Sequence, residues 1–185
     1  MELDKAIKSR KSVRKFKSKR PDWQLIIECI DAARYAPMAG SNYTMKFILI
    51  DDPEAIQKIA DCAQQSFITQ AQYVVVFCSN PSRTTNAYGK RGEIYYRQQA
   101  GAAIENFLLK IEDVGLSTCW IGHFTESEIK RELKVPEGVR VEAMFPIGYE
   151  YDKKRTRRIK IDLDRVLYFN RYGQKKFRKP KKLDV

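Results

Sequence analysis

The sequence predicts a β-sheet covered by helices, an α/β or α+β fold, and three observations carry that prediction. Helical and strand patterns are interleaved along the chain. Tyr73 to Cys78 is an unbroken apolar run rich in β-branched residues, the mark of a strand covered on both faces. Glu93 to Val114 repeats its apolar side chains at i, i+3, i+4 and i+7, through Ala100, Ala103, Ile104, Phe107, Leu108 and Ile111. At 185 residues the chain fits one domain, long enough to bury its core without metals or disulfides.

The elements follow in order. Residues 2–9 read as a short helix. Asp22 caps a helix from Trp23 to Tyr35, with Ile26, Cys29, Ile30 and Ala33 on one stripe. Ala36-Pro37 ends it, because a residue before proline disfavours the α region. Gly40-Ser41-Asn42 is loop, and Phe47 to Ile50 a buried strand. Asp52-Pro53 opens the next helix, a cap followed by proline at the first helical position, which runs to Gln64. After the strand at 73–78, the polar stretch from Asn80 to Gly92 reads as a mobile loop. Gly115 closes the long helix at the C′ position. Ser117 to Ile121 is then a short strand, Glu126 to Leu133 a short helix, and Val139 to Tyr149 a long strand. Beyond Glu150 the chain is basic and aromatic, without a long apolar helix.

Composition narrows the chemistry. One histidine, His123, leaves no His-rich metal site and no Ser-His-Asp triad. The four cysteines, Cys29, Cys62, Cys78 and Cys119, lie too far apart for a CxxC pair or a zinc cluster, so they read as free, mostly buried thiols. No stretch has the roughly 20 apolar residues of a membrane helix, and the N-terminus lacks a signal-peptide core, so a cytoplasmic protein is expected. The net charge of +12 is concentrated at the ends: residues 1–20 carry nine Lys/Arg against two acids, and residues 151–185 fourteen against four. Such ends suit an anionic ligand, a nucleic acid or an anionic surface, and equally serve solubility.

Three segments are candidates for chemistry. Arg10-Lys11-Ser12-Val13-Arg14 offers forked donors and a hydroxyl to a phosphate, or is a solvated basic turn. Gly115 to Phe124 takes the chain from a helix into a strand and turns it at Gly122, where glycine lets backbone approach a flat ligand, or is an ordinary connection. Arg157-Arg158-Ile159-Lys160-Ile161, if extended, points Arg158 and Lys160 to one side as half of an anion clamp, or is a basic tail.

Together these segments resemble the nitroreductase family of flavoproteins. The resemblance includes Arg10-x-Ser12-x-Arg14-x-Phe16, Ala36-Pro37, Gln65-x-Phe67 before the valine-rich strand, and Gly115-Leu-x-Thr-Cys-Trp-Ile-Gly122. It ends with the basic segment and Val166 to Gly173. It implies an α+β sandwich, and a homodimer that exchanges C-terminal tails and holds FMN at the subunit interface. The whole chain, 1–185, would be one such domain, with 151–185 a basic extension wrapping the partner. By position, Arg10, Lys11, Ser12 and Arg14 would bind the FMN phosphate and ribityl chain, with Arg158 and Lys160 closing on the same phosphate. Pro37, Met38, Ala39 and Ser41 would approach the flavin from the partner subunit. Gln64 or Gln65 would reach the ribityl or pyrimidine side. Ile121, Gly122 and His123 would lie near flavin N5 and O4, with backbone N–H groups offered there. NADH or NADPH would be the reductant, and a nitroaromatic, quinone or similar small electron-poor molecule the acceptor.

The sequence departs from the family pattern at the flavin wall. Members often show Pro-Ser at Pro37-Met38, asparagine at Ser41 and Gln-Pro-Trp at Tyr43-Thr44-Met45. Other uses of the same flavin site are reductive dehalogenation and flavin breakdown. From a different class, a nucleic-acid binder would use the tail lysines with Tyr168, Phe169, Tyr172 and Phe177 for stacking, but no nucleic-acid motif is present.

Overall fold

The computed structural model describes residues 1–152 and 161–176. The chain divides into two compact units, Met1–Lys153 and Lys154–Val185. The first is α+β. Its elements are α1 (Leu3–Ser9), α2 (Trp23–Ala33), β1 (Met45–Ile50), α3 (Pro53–Ala63), β2 (Tyr73–Ser79), α4 (Ser82–Tyr88), α5 (Lys90–Asp113), β3 (Ser117–Thr118), α6 (Glu126–Leu133) and β4 (Arg140–Gly148). Short 3₁₀ turns occupy Ala39–Ser41 and Ser66–Gln70.

The sheet is antiparallel with strand order β1-β2-β4-β3. Every residue of β2 is buried, as its apolar run requires. Alternation then sends successive side chains to opposite faces. Tyr73, Val75 and Phe77 join Ala143, Phe145 and Ile147 of β4 in a core under α2 and α5. Val74, Val76 and Cys78 join Val141 and Met144 in a second core under α3 and α6. Phe77 anchors the first, its ring centroid 4.8–5.0 Å from those of Phe47, Phe107 and Phe145.

Local chemistry sets several helix ends. The Asp22 carboxylate accepts from Gln24 N at 2.9 Å, and that of Asp52 accepts from Ala55 N at 3.1 Å with Pro53 beside it. α5 ends in paired bonds, Leu116 N to Ile111 O and Gly115 N to Glu112 O, which need the positive φ of 75° that Gly115 supplies.

Three expectations are corrected. The stretch 80–92 is not a loop: α4 and the start of α5 occupy it. Asn80 Oδ1 accepts from Ser82 N at 3.2 Å and from Ser82 Oγ, which starts α4. The segment is polar because only Thr84 of α4 is buried. Gly92 allows α5 to cross α4, since a Cβ there would stand 2.6 Å from the Thr84 carbonyl oxygen. The strand expected over 117–121 pairs continuously only at Ser117–Thr118, and Ile121 rejoins as an isolated bridge to Met144. α2 stops at Ala33, two residues early, because Tyr35 and Ala36 donate to carbonyls three residues back and tighten the last turn.

The cysteines are free, with Cys29, Cys78 and Cys119 buried and Cys62 half-buried. Burial pushes the Cys29 thiol up to about 12 and that of Cys78 up to about 11, so both stay protonated and unreactive near neutral pH. Among the described residues no helix is long and apolar enough to cross a membrane.

In the second unit, α7 (Leu163–Val166) is a single turn. The Tyr168 and Tyr172 rings meet at 4.7 Å, and Lys175 Nζ lies 4.1 Å from the Tyr168 ring centre.

Candidate functional site

The segment after α1 is held as an added edge on the sheet. Val13 N donates to Thr118 O at 2.9 Å, and Ser12 bridges Thr118 in parallel. Lys17 N donates to Tyr149 O and Tyr151 N to Lys15 O, with Phe16 bridging Glu150. Val13 and Phe16 are buried with Ala71 against Phe67. Because Val13 points inward, its neighbours Ser12 and Arg14 face outward, and both are exposed. A hydroxyl and a guanidinium are thus presented on one rigid strip.

The flanking cations are already engaged. Lys11 Nζ lies 2.6 Å from Glu150 Oε1, and Arg10 Nε lies 3.8 Å from Glu105 Oε1. A phosphate approaching this strip meets Arg14 and Ser12 directly, and it competes with carboxylates for Arg10 and Lys11.

Two further segments carry candidate residues. α3 ends at Gln64, exposed and left-handed at φ 53°, followed by half-buried Gln65 and the 66–70 turn. From that turn, Gln70 Oε1 accepts from Phe16 N at 3.3 Å, which ties it to the cationic strip. Ile121 is buried, while Gly122 and His123 are exposed. Thr125 N donates to Cys62 O at 3.0 Å, fixing the 121–125 turn beside the end of α3. A Cβ on Gly122 would touch only the Trp120 indole, at 3.6 and 3.9 Å, so the backbone is open to a flat ring.

Pro37, Met38 and Ala39 lie elsewhere. With Tyr95, Gln98 and Gln99 of α5 they line a separate cavity of about 320 Å³. The following turn holds two left-handed residues, Gly40 at φ 54° and Ser41 at φ 59°. A Cβ on Gly40 would stand 2.3 Å from the Tyr88 hydroxyl, so α4 packs directly on this turn. Left-handed backbone is strained for serine and easier for asparagine, the residue often found there in the family the sequence resembles. Arg158 and Lys160 lie outside the described residues.

Sequence reasoning missed Gln70, Gln99 and Tyr88. The polar residues of α4 and α5 carry no motif, and each acts through a contact distant in sequence.

With this geometry in place, known proteins supply the comparison. A sequence model described as the nitroreductase family matches residues 7–67 and 60–149. The chain belongs to the nitroreductase family. A protein of Archaeoglobus fulgidus, provisionally named an NADH dehydrogenase/NAD(P)H nitroreductase, is 26% identical over 155 residues, covering 81% of this chain and 86% of its own. The crystal structure of a nitroreductase family protein from Clostridium novyi is 30% identical, with TM-score 0.75 over 94% of this chain and 96% of its own. An FMN-dependent nitroreductase from Clostridium difficile shares the fold, at 23% identity and TM-score 0.78 over 90% and 98% of the two chains. The α+β sandwich of the family is therefore the fold of this chain. The family motif at residues 10–16 coincides with the strip that the 118 and 149–151 backbones hold, and the motif at 115–122 with the turn that leaves Gly122 open.

Proposed function

We propose that this protein is an FMN-dependent, NAD(P)H-using oxidoreductase that acts in the cytoplasm as a homodimer on nitroaromatics, quinones or related electron-poor acceptors. The observation that supports the reading is the strip exposing Ser12 and Arg14, which pairs with Thr118, four residues before the open backbone of Gly122. Its donors fit a phosphate dianion, as charge-assisted bonds to a forked guanidinium require. The uncrowded glycine fits a planar ring system. FMN, held there, would supply the redox chemistry that links a nicotinamide reductant to the acceptor in two half-reactions. The protein's own residues bind and orient. Arg14, Ser12 and Arg10 would hold the phosphate, with Lys11 freed from Glu150 as a third cation. Gln64 or Gln65 addresses the ribityl or pyrimidine side, and the Gly122–His123 backbone donates toward the ring.

Surface that a lone chain leaves bare supports the dimer. An apolar groove of about 800 Å³ runs between α1, α2 and α5, edged by Leu3, Ile27 and Tyr35. Trp23, Tyr35, Met38 and Ile94 are all exposed. A second copy on this face would bring its Pro37–Ser41 wall to the flavin held by the first, which accounts for that wall lining a cavity of its own.

The purified protein is expected to be yellow, and to release FMN rather than FAD on heating, as separated by chromatography. FAD, or no flavin after reconstitution, would overturn the reading. Arg14→Ala should weaken FMN binding by about 10- to 100-fold, since a hydrogen bond to a charged group contributes about 1.5–3 kcal/mol. Lys176→Ala, which alters an exposed lysine of the second unit, should change it by no more than about fivefold. Flavin titrations at one salt concentration check both, and equal losses would remove residues 10–14 from the phosphate site.

A further inference from the structure

Gln99, one of the residues that line the cavity beside the Pro37–Ser41 wall, carries a buried donor with nothing to donate to. Gln99 is 3% exposed on α5. Its Oε1 accepts from Thr44 N at 3.0 Å and also from Thr44 Oγ1. A backbone N–H can only donate, so the side-chain atom facing it must be the oxygen, and the amide cannot flip. Nε2 is therefore turned away from Thr44, and among the described residues it has no partner. Buried donors are nearly always paired, so an unpaired one lining a cavity points to a ligand.

The surroundings narrow what that ligand is. Pro37, Met38, Ala39, Tyr95 and Gln98 line the cavity with Gln99, and no charged side chain is among them. A volume of about 320 Å³ holds a small molecule. An uncharged lining with an aromatic ring and an amide N–H suits a neutral, flat molecule bearing an acceptor oxygen. A carboxylate or phosphate would find no counter-charge. Met38 and Ser41 carry no side-chain amide, so the donor comes from α5 instead. Thr44, standing where the family often has proline, adds the N–H and hydroxyl that lock Gln99 in this orientation.

We propose that Gln99 Nε2 donates a hydrogen bond to a carbonyl or nitro oxygen of a neutral aromatic electron acceptor, which makes Gln99 a specificity-determining residue and Thr44 the residue that positions it. The inference rests on the oxidoreductase reading above. Gln99→Glu is the informative change. One carboxylate oxygen still accepts from Thr44, while the other replaces the donor and repels an acceptor oxygen.

The test uses ¹⁵N-labelled holoprotein, oxidised menadione and no reductant. The Gln99 side-chain amide signals, identified by their loss in Gln99→Glu, should shift as menadione is added. In Gln99→Glu the menadione dissociation constant should rise about tenfold or more. In turnover, kcat/KM for menadione should fall about tenfold relative to that for ferricyanide, which needs no such donor. Thr44→Val, which removes the hydroxyl and keeps the N–H, should lower the same ratio less. A purely structural role would depress both acceptors together and leave the amide signals of the unaltered protein unmoved by menadione; that outcome overturns the proposal. Where Gln99→Glu fails to fold, through-bond assignment of the unaltered protein, labelled also with ¹³C, identifies the same amide signals. A colourless protein marks failure of the oxidoreductase reading, whereas a yellow protein with an unmoved Gln99 signal marks failure of this inference alone.

Discussion

Truncation after Glu150 should yield a protein without flavin that is monomeric or aggregated, while removal of residues 174–185 alone should leave a yellow dimer. The reason lies in the apolar side chains of the second unit. Ile161 is 68% exposed, Leu163 65%, Val166 60% and Tyr172 93%. Burying each such side chain fully contributes about 1.5–3 kcal/mol, so leaving all of them in water forfeits a sum comparable to the whole stability of a small domain. The unit cannot bury them itself. Among its described residues are one helical turn, the Tyr168–Tyr172 contact and a turn in which Phe169 N donates to Gln174 O at 2.8 Å. A surface of that kind in a segment this short needs another body to cover it. We propose that this body is the partner subunit, through the tail exchange that the resemblance implies. Residues 174–185 are mostly charged and add little apolar area. Sedimentation and flavin absorbance of the full-length protein and both truncations check the expectation. A stable yellow monomer at any concentration would defeat the dimeric architecture.

How much of this was legible beforehand depended on whether the cause was local. Asp52-Pro53, the helical period of α5 and Gly115 are local signals, and the structure carries each of them through. The run at Tyr73–Ser79 was legible because a wholly apolar strand leaves no choice but burial on both faces. α4 was not, because its side chains are polar and its place is set by Tyr88 packing on Gly40, 48 positions earlier in the sequence. The same division holds at the site. Ser12 and Arg14 could be singled out from the local run of cations and a hydroxyl at 10–14, and the buried Val13 between them shows which way they face. The Lys11–Glu150 ion pair could not, because the partners lie at opposite ends of the first unit. Nor could Gln99, whose role comes from Thr44 across a separation of 55 residues.

Gly148→Val should cost the protein its flavin although residue 148 touches no part of the proposed ligand site. Gly148 ends β4 and is buried. A Cβ built there would stand 2.9 Å from Phe16 Cδ1 and 3.1 Å from Phe16 Cβ, closer than two carbons tolerate. Phe16 has no free direction in which to retreat. It is 5% exposed, its cluster holds Val13, Ala71 and Phe67, and its backbone is bound to Gln70 and bridged to Glu150. Valine must therefore push the 12–17 strip off the sheet edge, and that strip carries Ser12 and Arg14. Overpacking of this kind costs about 1–3 kcal/mol of stability. The larger effect should fall on the ligand, because a phosphate cradle held loosely loses its preorganisation: FMN affinity should drop at least tenfold. Gly148→Ala should give the same changes in weaker form. Phe16→Leu in the Gly148→Ala background should restore part of both losses, since the smaller side chain makes room. That non-additivity separates a steric clash from a general weakening of β4. Thermal unfolding and flavin titration of the two single variants and the double variant measure it. Strictly additive losses, or a Gly148→Val protein that keeps its flavin at wild-type affinity, would show that the strip is not held in place by Phe16.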